Sequence, residues 1–321
     1  MFAAGTVVGG KYRIDHVLGR GGMGIIAAAT HVQLHQRVAL KFLHPEYATS
    51  SDVVERFVRE ARAAAALRGD HVCRVSDVGA LDDGTPYIVM ELLEGTDLAR
   101  LLAHSGPLPV QRACGYVLEA CVGLAEAHAL GIVHRDLKPA NLFLARRPGA
   151  AALIKVLDFG IAKAPGADGG DFSLTTTKGV LGSPGYMSPE QLRSTRDVDV
   201  RSDVWSLGVI LFELVSGRPP FTAESITDLA IRVWTDPRPP FVGRMPNGFD
   251  EVIDRCLAKR PGDRFPDLAS LAHALAPYAA PEGAELAAMV SRMLGVAPGS
   301  GDVALAGGLA TIPPNSYRAP G

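Results

Sequence analysis

The sequence predicts an α+β chain of two unequal lobes, a small strand-rich part followed by a larger helical part. Three observations predict it. The first ninety residues hold short apolar or alternating runs broken by glycine and polar turns, with one helical pattern among them. From about residue 109 onward, long segments repeat apolar side chains at helical spacing. A short connection near residues 91–96, containing Glu94-Gly95, separates the two regimes. At 321 residues the chain has the length of about two domains or one bilobed unit.

In chain order, residues 12–19, 25–31 and 37–43 read as strands separated by turns. Residues 51–67 read as a helix, with Ser51 or Asp52 as cap and Val53, Phe57, Ala61, Ala64 and Leu67 recurring on one face. Two further strands, 73–78 and 87–92, flank the turn Asp82-Asp83-Gly84. The helical part comprises residues 109–130, 203–216, 226–234, 249–257 and 267–275, several ended by Gly217, Pro237, Pro261 or Pro277. The small lobe spans about 10–91 and the large lobe about 96–278. Residues 279–321, rich in Ala, Gly and Pro, read as a flexible tail, with one short helix at 285–294.

Composition narrows the function classes. Hydrophobic residues make up 47% and charged residues 21%, the balance of a globular chain with a substantial core. A net charge of −2 lacks the basic excess of a nucleic-acid binder, so no nucleic-acid partner is expected. Cys73, Cys114, Cys121 and Cys256 are scattered and form no C-x-x-C pair, so buried thiols are expected. No leader-like start and no apolar run of about 18 residues is visible, which points to the cytoplasm. Membrane attachment enters only if the chain is a fragment of a longer protein.

Four segments carry chemistry. Gly19-Arg20-Gly21-Gly22-Met23-Gly24 is a G-x-G-x-x-G string followed by a strand-like run. A dinucleotide-binding turn would open a helix there, so a hairpin flap fits better. Such a flap can bring backbone N–H groups close to phosphate oxygens, or it can be a plain glycine-rich turn. Lys41 ends the apolar run Val38-Ala39-Leu40, and an inward ammonium requires an anionic partner, for which Glu60 is the candidate. The string His134-Arg135-Asp136-Leu137-Lys138-Pro139-Ala140-Asn141 crowds polar groups between two apolar strands. Asp158-Phe159-Gly160 follows the strand at 154–157, where a carboxylate can hold a metal ion.

With these motifs in this order, the sequence resembles the bacterial Hanks-type serine/threonine protein kinases over about residues 12–278. The resemblance implies the bilobal protein-kinase fold, with ATP and Mg²⁺ as cofactors and Mn²⁺ as an alternative ion. It implies that Leu18, Gly19, Gly21, Gly22, Gly24, Ile26, Ala39, Met90, Glu91, Leu93 and Phe143 surround the nucleotide. Lys41, paired with Glu60, would contact its phosphates. Asp136 would accept the substrate hydroxyl proton, Lys138 would face the γ-phosphate, and Asn141 and Asp158 would hold the metal. Ser188-Pro189-Glu190 resembles the motif whose Glu pairs with a late Arg, here Arg264. The segment starting at Asp203 resembles the helix that anchors the catalytic loop.

The resemblance also implies an activation loop at 168–182, with Thr175 and Thr177 at the phosphorylated positions and Arg135 as receiver of the phosphate. Protein substrates with Ser or Thr and self-association for trans-autophosphorylation follow as expectations. A pseudokinase scaffold is the alternative, and it predicts loss of Lys41, Asp136, Asn141 or Asp158, all of which are present. The sequence departs from the family pattern at Ile26, at Ser183, at Ala64 and in a longer turn at 146–150. Of these, Ala64 is expected to loosen the helix that carries Glu60, and the turn is expected to be an exposed loop.

Overall fold

The computed structural model describes residues 3–21, 24–159, 184–193 and 198–296. Gly22, Thr175, Thr177 and Ser183 lie outside them. The small lobe is one antiparallel sheet of β1 (Val7–Val8), β2 (Tyr12–Arg20), β3 (Gly24–His31), β4 (Arg37–Leu43), β5 (Val75–Ala80) and β6 (Pro86–Glu91). Its strand order is β1-β2-β3-β4-β6-β5. Alternation along β2 sends Tyr12 and Ile14 into a core shared with Ala27, Ala29, Leu40, Phe42, Tyr87 and Val89. Gly24 opens β3 against Leu43, and a Cβ there would collide with the Phe42 carbonyl oxygen. The glycine is therefore a packing requirement at the root of the flap.

After the short helix α1 (Pro45–Ala48), α2 (Ser51–Ala65) crosses the sheet, placing Phe57 and Ala61 against Leu43 and Ile88. Its cap position is Ser50, which makes no side-chain capping bond; Ser51 donates to Asp52 instead. The cap expected at Ser51 or Asp52 is thus displaced, because the helix gains its stability from the buried face.

Residues 92–94 lead into β7 (Gly95–Asp97) and α3 (Leu98–Ser105), neither of which the sequence pattern announced. Eight residues give little periodicity, but Asp97 caps α3 by accepting from Arg100 N at 2.9 Å, and Leu98 is fully buried. The large lobe is organised around α4 (Val110–Ala129) and α6 (Val200–Ser216), with α5 (Pro189–Arg193) between them in sequence. Along α6 every residue from Ser202 to Phe212 is buried, so the helix is enclosed all round and has no solvent face there. The helices α7 (Ile226–Thr235), α8 (Phe249–Cys256) and α9 (Leu268–Leu275) surround them.

A three-stranded sheet, β7-β8-β9, lies at the seam of the lobes. It adds β8 (Leu142–Arg147) and β9 (Ala150–Val156), the latter starting earlier than the strand expected at 154–157. Arg147 pairs with Ala150 across Pro148 and Gly149, so the exposed loop expected at 146–150 is the tip of a hairpin, with Gly149 at φ 73°.

The flexible tail expected from residue 279 does not begin there. A last helix, α10 (Gly283–Leu294), lies on α4 and α9 and buries Ala287 and Val290. Ser291 Oγ meets His273 Nε2 at 2.9 Å. All four cysteines are buried free thiols, and burial pushes the Cys114 and Cys256 thiols up to about 12. Among the described residues no helix is long and apolar enough to cross a membrane.

Candidate active site

Lys41 sits on β4 with its side chain turned inward, and two carboxylates from distant parts of the chain meet it. Its Nζ lies 2.7 Å from Asp158 Oδ1 and 3.4 Å from Glu60 Oε1. Burial pulls the ammonium down, but the charges of Asp158 and Glu60 outweigh it and hold it above the usual lysine range. One cation thus faces two anions. Glu60 is the more enclosed, with a side chain 10% exposed against 38% for Asp158. Burial pushes the Glu60 carboxyl up to about 7, against the pull of Lys41. Ala64, one turn further on, is itself buried in the same face of α2.

The loop at 134–141 is built around Asp203, which lies at the start of α6 and is fully buried. Its carboxylate accepts from His134 N at 2.9 Å and Arg135 N at 3.0 Å, and contacts His128 Nε2 at 2.8 Å. Burial raises Asp203, but His128, His134 and these hydrogen bonds overcome it and hold the carboxyl below its ordinary range. His134 accepts at Nδ1 from Asp136 N and therefore donates from Nε2 to the Leu157 carbonyl, 2.9 Å away. Burial holds this ring neutral. One histidine thus spaces the loop of Asp136 from the strand end of Asp158.

Arg135 and Asp158 have positive φ, 65° and 44°, a conformation that side chains other than glycine rarely adopt. Both sit where the chain reverses to present a polar side chain, and the surrounding hydrogen bonds hold them there. Lys138 Nζ lies 3.0 Å from Asp136 Oδ2. Asn141 Nδ2 donates to the Asp136 carbonyl at 2.8 Å, which leaves the amide oxygen of Asn141 as the atom that could meet a metal ion. Asp158 Oδ2 has no partner among the described residues, so one carboxylate oxygen and one amide oxygen are available. These are hard donors suited to Mg²⁺ bound together with substrate phosphates.

The remaining expected residues line up by register. Ile26 pairs with Lys41 and Ala39 with Met90. Glu91 closes β6, Leu93 lies in the connection between lobes, and Phe143 on β8 pairs with Asp97 of β7. Leu18 is exposed and Gly19 half-buried on β2, and Gly21 bonds Gly24 to close the flap, N to O at 2.9 Å. Sequence reading missed the ion pair of Lys155 with Glu91, at 2.7 Å. It also missed Glu126, whose carboxylate accepts from Arg68 N and Gly69 N and ties the end of α2 to α4. No motif announces either, because each is a contact between remote segments.

A strand-rich lobe with a glycine flap, hinged to a helical lobe whose loops bring Asp136, Asn141 and Asp158 to the seam, has the architecture of a protein kinase. The model of the protein kinase domain family matches residues 12–275, and the chain belongs to that family. It is 37% identical over 265 residues to serine/threonine-protein kinase pkn3 of Myxococcus xanthus, covering 81% of this chain and 48% of that protein. It is 39% identical over 267 residues to serine/threonine-protein kinase PknB of Mycobacterium tuberculosis, covering 81% of this chain and 42% of that protein. The chain therefore spans less than half the length of these curated relatives. The crystal structure of the Mycobacterium tuberculosis PknI kinase domain superposes with a TM-score of 0.62 at 29% identity, covering 87% of this chain and 99% of that one.

Proposed function

We propose that the chain transfers the γ-phosphate of ATP to serine and threonine hydroxyls of proteins. The observation that carries this reading is the largely enclosed Lys41 ammonium, placed under the flap root between Glu60 and Asp158. That arrangement offers a cation to phosphate oxygens and keeps it oriented before the nucleotide arrives. Asn141 and Asp158 would hold Mg²⁺, or Mn²⁺ in its place, and the ion would neutralise phosphate charge.

The residues of the catalytic loop divide the remaining work. Asp136 orients the incoming hydroxyl and takes its proton. Lys138, 3.0 Å from that carboxylate, reaches the transferring group and compensates its negative charge. The retention of Lys41, Asp136, Asn141 and Asp158 favours transfer over the alternative of a binding scaffold. Regulation by phosphate on Thr175 and Thr177 has support in Arg135. Its Nη1 is buried without a hydrogen-bond partner among the described residues, so a phosphate would supply the missing acceptor. Self-association of two copies for trans-phosphorylation belongs to the same reading.

Incubation with γ-labelled ATP, Mg²⁺ and a generic basic protein tests the assignment. Label on serine and threonine is the expected result. Nucleotide binding without transfer would leave the scaffold reading in its place.

A further inference from the structure

His44 follows β4 directly, three residues beyond Lys41, and its ring reaches back to the flap. Nε2 lies 3.0 Å from the carbonyl oxygen of Gly21. A carbonyl oxygen only accepts, so Nε2 carries the hydrogen and donates. The same oxygen receives a longer bond from Gly24 N, at 3.4 Å. The base of the latch is rigid: Leu43, the residue before His44, is paired with Gly24 and buried against Phe57, Ala61 and Ile88. The Tyr47 ring stands edge-on to His44, 6.4 Å between centroids.

We propose that His44 is a positioning residue for the nucleotide: it pins the flap through Gly21 and so sets the height and direction of the backbone above the phosphates. The peptide group is planar and trans, so its C=O and N–H point in opposite directions. A hydrogen bond to the Gly21 carbonyl therefore limits rotation of the backbone at the near end of the flap. The glycines make this latch necessary, since backbone without Cβ restraint samples many orientations and loses the most entropy when ordered. Lys41 and the flap are thereby linked, because β4 carries the ammonium and leads directly into the latch. His44 acts through Gly21 and has no contact with the reacting atoms.

This inference rests on the flap covering a nucleotide, and the experiment separates the two. The full chain is compared with His44→Phe, His44→Ala and His44→Gln. Phe keeps a ring against Tyr47 and lacks the donor, whereas the Gln amide nitrogen reaches about as far as Nε2. The readouts are KM for ATP, kcat, and the Kd of a non-hydrolysable ATP analogue with Mg²⁺. The loss of one net hydrogen bond predicts a rise of about three- to ten-fold in KM and Kd for Phe and Ala. The expected kcat stays within about two-fold, and Gln restores most of the affinity. Unchanged KM and Kd in His44→Phe, or a Gln variant as weak as Phe, overturns the latch. Failure of the unmodified chain to bind the analogue would instead overturn the nucleotide reading of the flap.

Discussion

Glu190 and Arg264, 74 positions apart, form a two-pronged ion pair in the large lobe. Arg264 Nη1 meets Glu190 Oε1 at 2.7 Å and Nη2 meets Oε2 at 2.8 Å, with the Arg264 side chain fully buried. The remaining donors go to the carbonyls of Ala258, Lys259 and Arg201, and Glu190 also receives Ser202 Oγ at 2.6 Å. Every nitrogen of the guanidinium is thus used, tying α5, α6 and the segment before α9 together.

Breaking that pair should cost more than its net worth, because it strands a buried carboxylate. Arg264→Met is expected to lower unfolding free energy by about 3–5 kcal/mol. Arg264→Lys should recover only part of this, since an ammonium cannot span both oxygens. Urea unfolding of the three proteins measures the difference.

The Lys41 cluster predicts loss of chemistry without loss of fold. Lys41→Met and Asp158→Ala should each reduce phosphate transfer by at least about a hundredfold. Circular dichroism and the thermal midpoint should remain those of a folded protein. Turnover equal to the unmodified chain in Lys41→Met would remove Lys41 from its assigned place.

Glu60 carries a pH signature. Its pKa in the folded state is raised to about 7 from an ordinary value of 4.5, first by burial and against the attraction of Lys41. Between those values the folded chain holds a proton that the unfolded chain has released. Stability from this group is therefore full below pH 4.5 and is lost as pH rises towards 7. Glu60→Gln stays neutral throughout. Relative to the unmodified chain, it should gain on the order of 1–3 kcal/mol between pH 5 and pH 8. Denaturant titrations of both proteins at the two pH values supply the comparison, and a constant difference between them would contradict the assignment.

The last helix is expected to be part of the core. Val290, fully buried on α10, should cost about 2 kcal/mol when changed to Ala. Met293, one turn away and 37% exposed, should cost less than about 0.5 kcal/mol for the same change. Equal and negligible losses at both positions would mean that the helix contributes nothing to stability.

The strands that bracket the flap, the helix of Glu60, the long helices and the polar strings at 134–141 and 158–160 were legible without coordinates. In each case the cause is local: alternation or helical recurrence of apolar side chains, punctuated by glycine, proline and capping groups. The short elements were not legible. In α3, eight residues carry too little period to stand out, and what holds them is Asp97 at one end and the buried Leu98. The end of the large lobe was misplaced for a similar reason. Residues after 279 read as tail with one short helix at 285–294; the helix is present, but it finds a surface on α4 and α9 that only the folded lobe presents.

By itself, the sequence determined which residue types were at hand and in what order. It set the glycines at 19, 21 and 24, the Lys at 41, the carboxyls at 60, 136 and 158, and the amide at 141. Tertiary structure alone decided how these groups divide their charge and what holds them in place. Lys41 lies closer to Asp158 than to Glu60, and the loop of Asp136 hangs on Asp203. It also decided that His44 reaches the flap. The physical reason is range: periodicity and capping act between near neighbours and leave a trace in order, whereas ion pairs and hydrogen bonds between remote segments depend on distances that the packed core sets.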